Sequence, residues 1–175
     1  LGGSILHDAM RLSVPRVCAY ARRPEVCTEV TRLGLAHLAT TDLSAVVAGV
    51  ELIVLASPVG TYAALMEQLL ACPLAENVII TDVGSVKHMV LATAGKQCLA
   101  AGRTFIGSHP MAGSEAKGLL ASRARLFENA ACILTPELHT PPQAISRLTA
   151  FWERLGSTVS IMDSKRHDEV VARIS

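Results

Sequence analysis

Apolar residues recur with two different periods along this chain, and the switches between them lay out its elements. Apolar side chains at positions 5, 6, 9, 10 and 12 follow helical spacing, so the first segment predicts a helix with one buried face. Pro15 ends it, and residues 16–20 read as a short strand. Pro24 opens a second helix over 24–33, and Gly34 closes it. Residues 36–39 predict a short strand and 42–47 a short helix. Residues 50–56 form a nearly continuous apolar run, the pattern of a strand covered on both faces in a parallel sheet. Ser57-Pro58-Val59-Gly60 breaks the run before a helix over 62–70. A second buried strand follows at 77–82, then a helix over 86–99, then a strand over 103–108 that ends at His109-Pro110. A polar loop (111–118), a strand (131–135), a helix (143–155), a strand (158–162) and a last helix from about Asp163 complete the pattern.

Strands alternating with helices imply βαβ units, hence an α/β fold with a doubly wound, mostly parallel sheet. Neither an internal repeat nor a linker interrupts residues 1–175, which read as one domain. Half of the residues are apolar, enough for one sizeable core. The net charge of +1, with no basic run longer than Arg22-Arg23, argues against a nucleic-acid surface. Five cysteines without a C-x-x-C pair fit reduced thiols in a cytoplasmic protein, and metal-site spacing is absent. No apolar run approaches the ~20 residues of a membrane span, and no signal peptide is recognisable. The chain starts without Met and begins and ends within predicted elements, so it reads as an excerpt of a longer protein.

Doubly wound sheets bind ligands beyond the carboxyl ends of their strands, so candidate chemistry is sought there. Gly2 and Gly3 open the first helix. They fit the end of a dinucleotide turn, where backbone approaches a pyrophosphate at a helix N-terminus, and they equally fit an ordinary turn. After the strand at 16–20, the position where NAD-binding folds place an acidic residue holds Ala21, followed by Arg22 and Arg23. Arginines there favour NADP over NAD through its 2′-phosphate, against the alternative of two solvated side chains. Ser57 and Pro58 form a rigid turn suited to walling the cofactor's ribose and nicotinamide. In Asp82-Val83-Gly84-Ser85-Val86-Lys87, Ser85 is placed as the N-cap of the next helix, at the ligand edge. Lys87 falls in the first turn, where its charge opposes the helix dipole, which implies a ligand or a structural partner. His109, directly after a strand and before a Gly-containing loop, is the candidate for proton transfer. The other five histidines, His167 among them, read as surface or satisfied side chains.

These segments together resemble the prephenate/arogenate dehydrogenase family. The resemblance is carried by Gly2-Gly3-Ser4, Ala56-Ser57-Pro58-Val59, Thr81 to Lys87, His109-Pro110-Met111-Ala112-Gly113-Ser114-Glu115, Phe127, Ile133 to Pro136, and the tail from His167 to Ser175. It implies a Rossmann-type nucleotide-binding domain, here without its first strand. It also implies a helical C-terminal domain, absent from this chain, that builds a homodimer. The implied reaction is the NAD(P)-dependent oxidative decarboxylation of prephenate to 4-hydroxyphenylpyruvate, or of arogenate to tyrosine, in tyrosine biosynthesis. By residue, His109 would take the proton of the ring hydroxyl, while Ser85 would orient it beside the nicotinamide. Glu115 and Ser175 would lie on the substrate side. Two other readings compete. A Rossmann dehydrogenase of the β-hydroxyacid dehydrogenase or imine reductase type would place a catalytic lysine or a different acid on a later helix. A non-catalytic NADP-binding module would have no need of Ser85 and His109.

Overall fold

The computed structural model describes residues 1–113 and 118–174. Ser114, Glu115, Lys117 and Ser175 lie outside the described residues, so the substrate-side expectations for Glu115 and Ser175 meet no coordinates.

The elements alternate as the periodicity predicts. In chain order they are α1 (Gly2–Arg11), β1 (Cys18–Tyr20), α2 (Pro24–Arg32), β2 (Leu38–Thr40), α3 (Leu43–Val47) and β3 (Leu52–Leu55). Next come α4 (Tyr62–Leu70), β4 (Ile79–Asp82), α5 (His88–Val90) and α6 (Lys96–Ala100), with a π-helical turn (Leu91–Gly95) joining α5 to α6. The chain continues with β5 (Thr104–Pro110), β6 (Ala131–Thr135), α7 (Pro142–Arg154), β7 (Thr158–Ile161) and α8 (Ser164–Ile174). The strands form two sheets. One is β1-β2, parallel; the other runs β3-β4-β5-β6-β7, parallel except where β5 meets β6.

Successive residues of the large sheet point to opposite faces, and each face has its own core. Ile53, Leu55, Ile80 and Phe105 join α3, α4, α5 and α6 in one cluster. Leu52, Val54, Ile79, Ile106 and Leu134 join Ile5 of α1 and Leu148 and Trp152 of α7 in the other. Helices on both faces make this a doubly wound α/β fold.

Two expectations need correction. The run at 50–56 does not yield a strand buried on both faces: Leu52, Ile53 and Val54 are half-buried, whereas all four residues of β4 are buried. The reason is topological. Among the described residues, β4 has a strand on each side, while β3 is paired only with β4, and β1 only with β2. The second concerns Ser85. The helix starts at His88, with Lys87 in the capping position and no side-chain cap bond, so Ser85 is an exposed linker residue and not an N-cap.

Candidate active site

β5 changes partners partway along its length, which sets the site's position. Its first residues pair in parallel with β4, up to Ile106, and from Gly107 it pairs antiparallel with β6. His109 therefore lies inside the strand, opposite Ile133, and not after it. It is only 9% exposed. A polar network beneath it holds the strand end: Trp152 Nε1 donates to Ser108 Oγ (3.1 Å), and Thr81 Oγ1 lies 2.7 Å from the same hydroxyl.

The partner of His109 comes from the far end of the chain. His109 Nδ1 lies 2.9 Å from His167 Nε2, and His167 Nδ1 lies 2.7 Å from Asp168 Oδ1. His167 is fully buried. Asp168 also accepts the backbone N–H of Lys87 at Oδ1 (2.8 Å) and of His88 at Oδ2 (3.0 Å). Burial works against ionising Asp168, but these N–H donors and the His167 ring outweigh it and hold the carboxyl below its ordinary value. A carboxylate only accepts, so His167 Nδ1 carries a hydrogen. When His167 Nε2 accepts, His109 Nδ1 donates to it, and His109 Nε2 is then the unprotonated nitrogen. Burial foremost, then the neighbouring His167 and Lys87, pushes the His109 imidazole down to about 4 against a weaker pull from Asp168. The ring is neutral at pH 7 and able to take a proton.

Lys87 has a structural partner. It is fully buried, and its ammonium pairs with Asp82 and donates to Ser108 O (2.8 Å). Asp82 Oδ2 accepts Gly84 N (2.9 Å) and Oδ1 accepts Ser108 N (3.2 Å). Burial pushes the Asp82 carboxyl up and the Lys87 ammonium down, each opposed by the other's charge.

The other candidates occupy neighbouring strand ends. A Cβ on Gly2 would stand 2.8 Å from Ala56 Cβ, so the start of α1 closes against the end of β3 only with glycine there. Gly3 has a different neighbour: its Cβ would stand 2.6 Å from Ser122 Oγ. Residues 119–125 return across α1 at this point, held by Ser4 Oγ accepting Arg123 N (3.2 Å) and Asp8 Oδ1 accepting Arg125 N (2.9 Å). The first N–H groups of α1 have no side-chain cap, which suits an anion at this end. Ser57 Oγ lies 2.8 Å from Thr61 Oγ1, whose own hydrogen goes to Pro58 O (2.7 Å), so Ser57 donates and the turn is rigid. Arg22 and Arg23, between β1 and α2, are exposed, and among the described residues their side chains make no ion pair or hydrogen bond. Ser85 also makes no hydrogen bond among the described residues; the ring bonded to His109 is His167.

Sequence reasoning passed over His167, Asp168 and the burial of Lys87. One signal was present. Ser164, His167, Asp168 and Val171 recur at 3–4 spacing on α8, and this stripe faces inward although three of its members are polar.

Comparisons with known proteins show the family to which this fold belongs. The family described as prephenate dehydrogenase, nucleotide-binding domain, matches residues 9–161. Cyclohexadienyl dehydrogenase of Zymomonas mobilis is 36% identical over 162 residues, covering 91% of this chain and 53% of that protein. Prephenate dehydrogenase of Bacillus subtilis is 37% identical over 123 residues, covering 70% of this chain and 33% of that protein. Among solved structures, Synechocystis arogenate dehydrogenase superposes with a TM-score of 0.91 at 30% identity, covering 99% of this chain and 60% of its own. A prephenate dehydrogenase from Aquifex aeolicus, solved with hydroxyphenyl propionate and NAD+, gives a TM-score of 0.88 at 29% identity, covering 97% and 58%. The chain thus spans about half the length of Zymomonas cyclohexadienyl dehydrogenase, and a third of the Bacillus enzyme. By sequence and by fold, it belongs to the prephenate dehydrogenase nucleotide-binding domain family.

Proposed function

We propose that this domain serves, within a longer polypeptide, the NAD(P)-dependent oxidative decarboxylation of prephenate or arogenate, with His109 as the proton acceptor. The observation that carries the reading is the Asp168–His167–His109 relay, which leaves His109 Nε2 unprotonated at the carboxyl edge of the sheet. As hydride leaves the ring carbon bearing the 4-hydroxyl, the hydroxyl proton passes to His109 Nε2. His109 Nδ1–H stays bonded to His167, and Asp168 balances the positive charge that develops on the two rings. Carbon dioxide is lost, its bonding electrons complete the aromatic ring, and the proton returns from His109 Nε2 to the phenolate oxygen. Ser85, exposed beside this edge and without a partner, is suited to meeting the substrate hydroxyl or the nicotinamide.

The residues present fit a dinucleotide. The uncapped α1 N-terminus and the close Gly2–Ala56 approach suit a pyrophosphate, with Gly3 beside it, and Ser57 and Pro58 would border the ribose and nicotinamide. Bound there, the oxidised nicotinamide supplies the hydride acceptor. Unpaired Arg22 and Arg23 support NADP over NAD. The single pairing of β1 and of β3 supports a further parallel strand between them, completing a domain that spans all 175 residues. Glu115 and Ser175 remain substrate-side candidates. A helical domain elsewhere in the polypeptide would build a cytoplasmic homodimer.

The test is a spectrophotometric assay of the full-length protein with prephenate and arogenate, each with NAD and NADP. Reduced-cofactor absorbance is expected with at least one pair. Silence with all four, in a folded protein that binds cofactor, would sink the reading.

A further inference from the structure

We propose that Lys87 is a positioning residue for the proton acceptor: its side chain and its own amide tie β4, β5 and α8 together behind His109. The proposal rests on the reading of His109 as acceptor. Lysines are rarely buried completely, and this one is fully buried. Its ammonium is spent on Asp82 and on Ser108 O, while Asp82 accepts Ser108 N. Both backbone groups of the residue before His109 are therefore set by one ion pair. Gly107 leaves the passage for the lysine stem. A Cβ there would stand 3.1 Å from Lys87 Cδ and collide with Thr135 Oγ1. At its other end, Lys87 gives its backbone N–H to Asp168 Oδ1, the same oxygen that holds His167. One residue thus holds Asp168 at one end of the relay and, at the other, the backbone of the residue before His109.

The groups facing His109 are His167 and Asp168 from α8, Lys87 from the start of α5 and the Cys132 thiol from β6, with Asp82 of β4 behind the lysine. Among them Lys87 and Asp168 oppose each other, the first favouring the neutral imidazole and the second the charged one. Removing the cation takes away one of the influences that favour the neutral ring, so the imidazole gains basicity, while burial and His167 still hold it down.

The variants are Lys87→Met and Asp82→Asn/Lys87→Met. The single change strands a buried carboxylate and is expected to weaken the fold, whereas a buried ion pair replaced by neutral groups is often tolerated. In this chain, emission of Trp152, its single tryptophan, reports folding, and NMR titration of the histidine rings reports His109. The double variant is expected to keep its folded emission while the His109 midpoint rises from about 4 by about half a unit or more. In the full-length protein, kcat is expected to fall about tenfold with cofactor KM within about twofold. An unmoved midpoint, or a double variant that cannot fold, would overturn the proposal and leave the pair as structural cement. The titration needs no turnover. A wild-type protein inactive with all substrates would sink the proposed reaction without touching this measurement.

Discussion

The carboxyl edge of the sheet has two halves built on opposite principles. Around His109, Lys87, Asp82, Ser108 and His167 are buried and hold one another across four elements. Along the rim formed by Arg22, Arg23, Ser57 and Pro58, side chains are exposed or half-buried, the arginine side chains have no partner among the described residues, and Ser57 and Pro58 are held in a local turn. The first half must hold one tautomer of one ring, and a fixed tautomer needs fixed neighbours. The second half must admit and release a dinucleotide, and its groups gain their partners only when that anion arrives. Preorganisation is concentrated where a proton moves, and openness where a ligand exchanges.

Substitutions can break or sharpen this contrast. The largest effect is expected for His109→Asn in the full-length protein, where kcat should fall about a thousandfold with KM little changed, since the lost group acts mainly in the transition state. Near-normal turnover would remove His109 from the mechanism. Asp168→Asn comes next, at about a hundredfold in kcat. Each Asp168 oxygen faces an N–H donor, so the new amide would set a donor against one of them and release the His167 tautomer. A loss confined to KM would contradict that account.

Acid supplies a third test. The folded pKa of His109 lies below its ordinary value of 6.5, so the unfolded chain binds the extra proton first as pH falls. Stability contributed by the neutral ring is complete above about 6.5 and is lost on acidification toward about 4, on the order of 2 kcal/mol. Urea unfolding across that window should show the loss, and His109→Asn should flatten it. The smallest effect belongs to the open rim. Arg22→Ala should weaken NADP about tenfold and NAD hardly at all in a direct binding titration. Equal losses for the two cofactors would argue against a phosphate contact.

Much of this molecule was legible in the sequence. The alternation of periods gave the element order, and the His109-Pro110-Met111 segment marked the strand end that matters. Three features were hidden for physical reasons. The exposure of β3 depends on which strands flank it, and an apolar run such as Leu52–Leu55 looks the same at an edge as in the middle. The burial of Lys87 depends on Gly107 leaving room beneath β5, a contact between elements that no local pattern encodes. The His109–His167 bond joins residues 58 positions apart, and a histidine at helical spacing looks the same whether it faces water or another imidazole.

The single-sided pairing of β1 and β3 also bears on how this chain behaves at high concentration. Both strands present backbone N–H and C=O groups along one side with no strand to receive them, on a half-buried apolar surface. Such edges template strand addition between molecules, and neither β1 nor β3 carries a charged or proline residue to deter it. Solubility of the isolated 175-residue chain should therefore depend on a strand supplied to that position. A short peptide of alternating valine and glycine, added in excess during refolding, should suppress light scattering by occupying the edge that a second molecule would otherwise take.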